Sequence, residues 1–149
     1  MTSPLTLSFG SDHGGLALRR GLSEALKAKG YAILDRGTET EASCDYPDYA
    51  HAVGADVVAG RAKFGILVCT TGIGISIAAN KMRGIRAALV QSADAAGLSR
   101  RHNDANVLCF GAKYVDLPTA VACVEAFLAA EFEAGRHTRR VDKMESSCG

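Results

Sequence analysis

A cysteine stands at the point where an apolar run of the sequence breaks into small residues. Cys69 ends the run at residues 64–69 and is followed by Thr70-Thr71-Gly72-Ile73-Gly74-Ile75-Ser76. In a loop that opens a helix, backbone N–H groups form a site for negative charge, whether a phosphate or a developing enolate oxygen. The same dipoles favour the thiolate form of a cysteine. Since most cysteines are small core residues, the residue types leave a reactive thiol and a packing role evenly balanced.

An aspartate and a histidine stand side by side after the first predicted strand, in Ser11-Asp12-His13-Gly14-Gly15. The two glycines allow a ligand to approach the backbone closely, which favours a binding site. Asp12 is also suited to capping the following helix, because a carboxylate accepts N–H bonds at a helix start. The residues alone leave both roles open.

A third polar cluster, Ser99-Arg100-Arg101-His102-Asn103-Asp104-Ala105-Asn106, comes at the end of a predicted helix and just before the last strand. So many polar groups are costly to bury unless they form hydrogen bonds or ion pairs, or bind a ligand. His102 is a candidate acid or base in a predicted loop, although a lone histidine is more often structural. Arg136 and Arg140 are spaced to share one helix face and suit bidentate phosphate binding; an exposed basic face is the more common explanation.

Short apolar runs rich in β-formers alternate with longer helical patterns, which predicts a parallel sheet with helices on both faces. The five predicted strands are residues 5–10, 31–35, 64–69, 87–90 and 106–110. The predicted helices are an amphipathic one that ends at Gly30 and others at residues 49–59, 73–81, 92–101, 118–131 and 136–143. We expect Asp116 to cap the helix that Pro118 opens, and Gly30 to adopt a left-handed conformation.

The sheet type predicts where a site should lie. Ligands of open parallel α/β sheets bind outside the carboxyl ends of the strands. We therefore expect the three polar segments to form one site at that edge. The polar loop at residues 37–45 is long enough to be functional.

Composition favours one globular domain over residues 1–149, with 48% hydrophobic residues and a net charge of +1. So small a charge gives no global field for nucleic acid or an anionic membrane. No apolar run approaches the roughly 20 residues of a bilayer span and no leader pattern is seen, so we expect a cytoplasmic protein. The five cysteines lack zinc-type spacing, so we expect reduced thiols and no metal; they are Cys44, Cys69, Cys109, Cys123 and Cys148.

Two rival function classes stay open on the residues alone. A nucleotide- or dinucleotide-binding module of flavodoxin-like shape is disfavoured, because Gly72-Ile73-Gly74 lacks the third glycine of the fingerprint and follows the third strand rather than the first. A thiol redox protein would use Cys69, but no resolving cysteine stands near it in the sequence.

The ordered motifs of the chain closely resemble one known family. They are Ser11-Asp12-His13-Gly14-Gly15, Asp45-Tyr46-Pro47, residues 69–81, Gly84-Ile85-Arg86-Ala87, residues 98–107 and Gly135-Arg136-His137. Over essentially the whole chain they are similar to the ribose-5-phosphate isomerase type B family, which also includes galactose-6-phosphate isomerase subunits.

The resemblance implies a Rossmann-like three-layer α/β sandwich with a five-stranded parallel sheet and a C-terminal helical arm. It implies an aldose–ketose isomerase without cofactors that converts ribose 5-phosphate to ribulose 5-phosphate through a cis-enediolate. Allose 6-phosphate and galactose 6-phosphate are the alternative sugar phosphates. A homodimer or a dimer of dimers is also implied, with each active site completed by the partner subunit.

The resemblance also implies roles for individual residues. Cys69 matches the proton acceptor, His102 the proton donor for ring opening, Asp12 a group that handles hydroxyl protons, and Thr71 a group that holds the enediolate. The substrate contacts implied are His13, Tyr46, Thr70, Gly72, Ile73, Gly74, Asn103 and Lys113. The phosphate ligands implied are Arg136 and Arg140.

The chain departs from the family pattern at three positions. Ser76 stands near where some members have a glutamate base, so the chain resembles the cysteine-type branch. Thr70 stands where glycine is common, and we expect it to narrow the pocket. Lys113 takes the place of an arginine near the phosphate in some members, which leaves its role open.

Overall fold

The computed structural model describes residues 3–146, so Cys148 lies outside the described residues. The strands are β1 Thr6–Ser11, β2 Ala32–Asp35, β3 Phe64–Cys69, β4 Ala87–Leu89 and β5 Val107–Gly111. The helices are α1 Leu16–Ala28, α2 Tyr46–Val58, α3 Ile73–Asn80, α4 Ala93–Asn103, α5 Leu117–Ala129 and α6 Arg136–Ser146. A short 3-10 turn, His13–Gly15, joins β1 to α1.

The five strands form one all-parallel sheet in the order β2-β1-β3-β5-β4. The central strand β3, with the sequence FGILVC, is buried along its whole length, as expected for a parallel strand that is covered by helices on both faces. The three-layer Rossmann-like α/β fold predicted from the sequence is confirmed.

Each face of the sheet has its own apolar cluster. On one face, α1, α4 and α5 pack over the sheet, with Phe9, Phe110 and Phe127 fully buried. On the other face, α2 and α3 cover a smaller cluster that includes Val53 and Ile75. Burial of this apolar area is the main stabilising contribution to the fold.

Local interactions stabilise the helix ends that were predicted from the sequence. The Asp116 carboxylate accepts a hydrogen bond of 3.0 Å from Thr119 N at the start of α5, and Pro118 lies in the first turn. Gly30 has a φ of 99° after α1. The C-terminal arm, α6, docks through the buried side chains of His137 and Val141.

Several predicted helix boundaries are wrong. Helix α5 ends at Ala129 rather than at residue 131, and α6 continues to Ser146 rather than ending at residue 143. Helix α2 begins at Tyr46 rather than at residue 49, because Pro47 fits the first turn of a helix. Helix α4 continues to Asn103 rather than ending at residue 101, and Asp104 then adopts a left-handed φ of 49°. His102 and Asn103 therefore lie on the last turn of a helix and not in a loop.

None of the helices in residues 3–146 combines the length and the apolar character that a bilayer span requires.

Candidate active site

A cavity opens at the carboxyl edge of the sheet, where β1 and β3 lie side by side. Ser11 is in register with Val68, so the residues that follow, Asp12 and Cys69, meet at this edge. The cavity measures about 360 Å³ and is lined by Asp12, Tyr46, Cys69, Thr70, Thr71, Ile73 and Gly74. The two segments that follow β1 and β3 thus share one concave site, as the sheet rule predicts.

Cys69 combines packing with access to this cavity. Its residue surface is only 4% exposed and it contacts the apolar cluster under α2 and α3, yet it lines the cavity. Its Sγ accepts a hydrogen bond of 3.1 Å from the backbone N–H of Gly72. An N–H aimed at sulfur stabilises a thiolate more than a thiol. The geometry therefore suits a reactive cysteine.

The other buried cysteines have a different environment. Cys109 and Cys123 are fully buried. Burial raises the pKa of both thiols, and the neighbouring Cys69 raises the pKa of Cys109 further. Both thiols are therefore neutral at physiological pH, and neither lines the cavity that Cys69 faces.

The glycine loop after Cys69 brings backbone N–H groups to the cavity. Gly72 has a φ of 78°, which a residue with a side chain rarely adopts. The first hydrogen bond of α3 runs from Ser76 N to Gly72 O, so the N–H groups of the first turn have no acceptor within the helix. A side chain at Gly74 would meet the Tyr46 ring, whose Cζ lies 2.5 Å from the ideal Cβ position. Tyr46 thus packs directly against the loop.

Two hydroxyl groups of this segment have partners within it. Thr71 Oγ1 accepts a 3.2 Å hydrogen bond from Ile73 N, which leaves its O–H free to donate. Ser76 is buried, and its Oγ donates to Ile73 O at 2.8 Å. Ser76 is therefore engaged in the helix, whereas Thr71 has a donor to offer the cavity.

Asp12 performs the capping role and also faces the cavity. Its carboxylate accepts a 3.1 Å hydrogen bond from Gly15 N and is almost completely buried. The exposed ring of His13 accepts a hydrogen bond at Nδ1 from Cys44 N, 3.3 Å away. Neutral His13 therefore carries its proton on Nε2. The two interpretations of Asp12 left open by the sequence are compatible.

Lys113 and Thr70 lie together at the same edge. The backbone N–H of Lys113 donates to Thr70 O at 2.9 Å, and both residues are exposed. Thr70 Oγ1 lies 2.1 Å from the position that a Cβ on Gly14 would take. Only glycine at position 14 therefore accommodates the threonine side chain.

The remaining predicted site residues form a second cluster elsewhere. His102 stacks on His137, with ring centroids 4.4 Å apart and planes 12° from parallel. Glu133 Oε1 lies 3.7 Å from His102 Nε2 and 3.8 Å from His137 Nε2. The exposed Arg136 and Arg140 lie on α6 beside this cluster.

The expectation that all three polar segments lie at the carboxyl edge is wrong. Asn103 precedes β5 by four residues, so it and His102 lie at the amino end of that strand, whereas Cys69 is in register with Gly111 at the carboxyl end. Strand β5 alone spans about 13 Å at roughly 3.3 Å per residue. Within one chain, Cys69 and His102 are therefore on opposite edges of the sheet.

Asn103 lines a different cavity. This space measures about 480 Å³ and lies between the edge strand β4 and the ends of α4 and α6, with Asn80, Ser99 and Met144 also in its wall. Asn103 is thus near His102 but does not face the cavity of Cys69.

Within residues 3–146, His102, Glu133 and His137 are the set of metal-ligating side chains whose donor atoms lie within 4.8 Å of one another. Each imidazole binds a metal ion in the plane of its ring. Two nearly parallel, stacked rings cannot both point their Nε2 lone pairs at one ion. This arrangement therefore does not fit a metal site.

Glu133 was not predicted from the sequence as a site residue. It comes between two helices, and its contact with His102 depends on how the C-terminal arm docks. The only signal in the sequence is the spacing of four between Glu133 and His137, which brings two residues together when a turn leads into a helix.

Comparisons with known proteins agree with this geometry. The family model described as Ribose/Galactose Isomerase matches residues 7–144. The chain is 46% identical over 136 residues to ribose-5-phosphate isomerase B of Escherichia coli (strain K12), covering 91% of each chain.

Two solved structures are similar over nearly the whole fold. Ribose-5-phosphate isomerase B of Clostridium thermocellum has a TM-score of 0.94 and 46% identity, covering 95% of this chain and 96% of that one. Ribose-5-phosphate isomerase B of Mycoplasma genitalium with bound ribulose-5-phosphate has a TM-score of 0.91 and 42% identity, covering 97% of both chains.

Proposed function

Because the chain belongs to the ribose/galactose isomerase family, we propose that it converts ribose 5-phosphate to ribulose 5-phosphate with Cys69 as the base. The chain is an aldose–ketose isomerase of a phosphorylated sugar, as its relatives indicate. The observation that supports the base is the Cys69 sulfur, which lines a polar cavity and accepts an N–H bond from Gly72.

The chemistry moves one proton between two carbons. The Cys69 thiolate removes the proton from C2 of the open-chain aldose, and the electron pair shifts to form a cis-enediolate with its charge on O1. The resulting thiol returns the proton to C1, while Asp12 carries the hydroxyl proton from O2 to O1. Thr71 O–H and the backbone N–H of Gly74 donate to the oxyanion, a contribution of about 3 kcal/mol per donor, whereas the N–H groups of Gly72 and Ile73 are bonded to Cys69 Sγ and Thr71 Oγ1. These steps need no metal and no cofactor.

Substrate contacts divide between the two clusters. At the cavity of Cys69, we assign substrate contacts to His13, Tyr46, Thr70, Gly72, Ile73, Gly74 and Lys113. In the other cluster, His102 donates the proton that opens the sugar ring, Asn103 contacts the sugar, and Arg136 and Arg140 bind the phosphate.

We propose that two copies of the chain share each active site. A homodimer brings the His102 cluster of one subunit to the Cys69 cavity of the other, which a single chain does not do. Helix α3 begins at the cavity and carries two exposed isoleucines one turn apart, Ile73 at 51% and Ile77 at 55%. Leu89 on the edge strand β4 is also exposed. Apolar side chains clustered at a surface are typical of subunit interfaces.

Complementation of inactive variants tests the shared site. Cys69→Ala and His102→Ala should each be inactive alone. When the two are unfolded and refolded together, half of the dimers combine both variants, and each of these has one intact site. About a quarter of wild-type activity should return if the sites are shared. Recovery of no activity, with mixed dimers demonstrated by mass spectrometry, would contradict sharing.

The substrate is tested by comparing kcat/KM across four- to six-carbon phosphorylated aldoses. Ribose 5-phosphate should give the highest value. Allose 6-phosphate or galactose 6-phosphate in first place would replace it as the substrate while leaving the isomerase chemistry intact.

We further assign this activity to a single domain, residues 1–149, in the cytoplasm. The four cysteines in the described part of the chain are unpaired. Free thiols are typical of a reducing compartment.

A further inference from the structure

Glu133 is held against the last turn of α4 by its own backbone. Its N–H donates a 2.9 Å hydrogen bond to Arg101 O. The chain then turns through Ala134 and Gly135, with φ values of 57° and 56°, into α6. The backbone thus anchors Glu133 next to the last turn of α4, within reach of His102.

The Glu133 carboxylate faces three cationic or titratable groups. Oε1 is 3.7 Å from His102 Nε2 and 3.8 Å from His137 Nε2, and Oε2 is 3.8 Å from Arg101 Nε. Arg136 and Arg140 are the further charges beside the cluster. In this group Glu133 is the carboxylate that can stabilise a protonated His102.

His137 is held neutral in this environment. Burial lowers the pKa of His137, and Arg136, His102 and Arg140 lower it further against the opposing effect of Glu133. Its Nε2 is buried and has no hydrogen-bond partner in the described part of the chain. The neutral ring stacks on His102 and fixes the plane of that ring. The negative charge of Glu133 therefore acts on His102 and on Arg101 rather than on His137.

We propose that Glu133 is a positioning residue for ring opening: its carboxylate lies beside Nε2 of His102 and stabilises the imidazolium form that acts as the acid, which leaves Nδ1–H to donate to the sugar ring oxygen. The proposal rests on the proposed function, in which His102 is the acid. Glu133 itself touches neither the substrate nor the reacting carbons.

The experiment separates ring opening from proton transfer at carbon. Ribose 5-phosphate is mostly a closed furanose, whereas ribulose 5-phosphate is open-chain because its O5 is esterified. Turnover of ribose 5-phosphate therefore needs the acid, and solvent exchange of the C1 proton of ribulose 5-phosphate does not. Glu133→Gln should lower kcat for ribose 5-phosphate about tenfold or more and leave the exchange rate of ribulose 5-phosphate within about twofold.

The pH profile provides a second measurement. Loss of the carboxylate makes protonated His102 less stable. In Glu133→Gln, the pH above which kcat/KM for ribose 5-phosphate falls should therefore be lower by about one unit. Glu133→Asp keeps the charge and should restore most of the wild-type profile. A role in packing alone would not distinguish these variants by charge.

Glu131→Gln is the matched control, because it makes the same change at an exposed position two residues away. It should alter neither rate. Equal slowing of both reactions in Glu133→Gln, or a pH profile that does not move, would overturn the positioning role. A wild-type protein that turns over neither sugar would instead overturn the proposed function.

Discussion

The backbone N–H of Gly72 donates a hydrogen bond to the sulfur of Cys69 across 3.1 Å. This contact exists because Gly72 adopts a φ of 78°, which turns the chain sharply before α3. The same turn leads into α3, whose first residues Ile73 and Gly74 line the cavity. One backbone conformation thus places both the proposed base and the start of the helix at the cavity.

Replacement of Cys69 should remove the proton transfer. Cys69→Ala is expected to lower kcat about 10³-fold or more and to stop solvent exchange of the C2 proton, since no other group would accept it. Exchange is measured by NMR in D₂O. The control is Cys109→Ala, which removes a buried neutral thiol and should lower stability by about 1 kcal/mol without changing kcat. Continued exchange in Cys69→Ala would assign the base to another residue.

Substitution of Gly72 should damage both the fold and the chemistry. In Gly72→Ala the new Cβ would lie 2.5 Å from Leu89 Cδ1 and 2.8 Å from Gly111 N, at a φ of 78°. We expect a loss of about 2–4 kcal/mol in the free energy of unfolding, measured with urea, and a fall in kcat of at least about tenfold.

Gly30→Ala provides the comparison for that substitution. Gly30 also has a positive φ, 99°, but a Cβ there would meet nothing within 4 Å. The cost should be about 1–2 kcal/mol, with kcat unchanged. A similar kcat in both variants would show that the Gly72 turn does not contribute to catalysis.

The fold was predictable because its signals are local. β3 was predicted at both ends, since its apolar run stops at small residues on the carboxyl side. The start of α2 and the end of α4 were not. Pro47 also fits the end of a loop, so it does not by itself mark the first turn of α2. Helix α4 ends where Asp104 turns left-handed and the N–H of Ala105 donates to Ser99 O, and an aspartate signals such an end less clearly than a glycine does.

The candidate site was predictable in part. The strand-end rule joins Asp12 to Cys69, because β1 and β3 are neighbours in the sheet. It does not apply to His102, since a residue shortly before β5 lies at the amino end of that strand. The contact between His102 and Glu133 depends on docking of α6, for which the sequence carries no local signal.

Arg140 should contribute mainly to binding. Because the proposed phosphate contact is remote from the reacting carbons, Arg140→Ala is expected to raise KM for ribose 5-phosphate roughly 10- to 100-fold, the loss of one charge-assisted hydrogen bond. Steady-state kinetics provide the measurement. The control is Arg139→Ala, which removes the same charge from the next residue of α6, about 100° around the helix. An equal change in both variants would indicate a general effect of charge rather than a phosphate contact.

A buried ion pair far from the cavity should govern stability in acid. The Asp56 carboxylate is 1% exposed and accepts hydrogen bonds from Arg36 Nε at 2.6 Å, Arg61 Nε at 2.8 Å and Ser8 Oγ at 2.7 Å. The bond from Arg36 is the largest cause of a pKa of Asp56 well below its ordinary value, with Arg61 and Ser8 lowering it further against burial. The ionised form therefore stabilises the folded state above pH about 4.

Asp56→Asn should reveal that pH dependence. At pH 7 it is expected to lower the free energy of unfolding by about 3 kcal/mol, the lower end for a broken buried pair, because both arginines stay partly solvated. As the pH falls below about 4, the unfolded wild-type chain gains protons that the folded chain does not, so the wild-type advantage should shrink. Urea unfolding at pH 7, 5, 4 and 3 measures the difference. A difference that stays constant down to pH 3 would show that Asp56 stabilises the fold by packing and not by its charge.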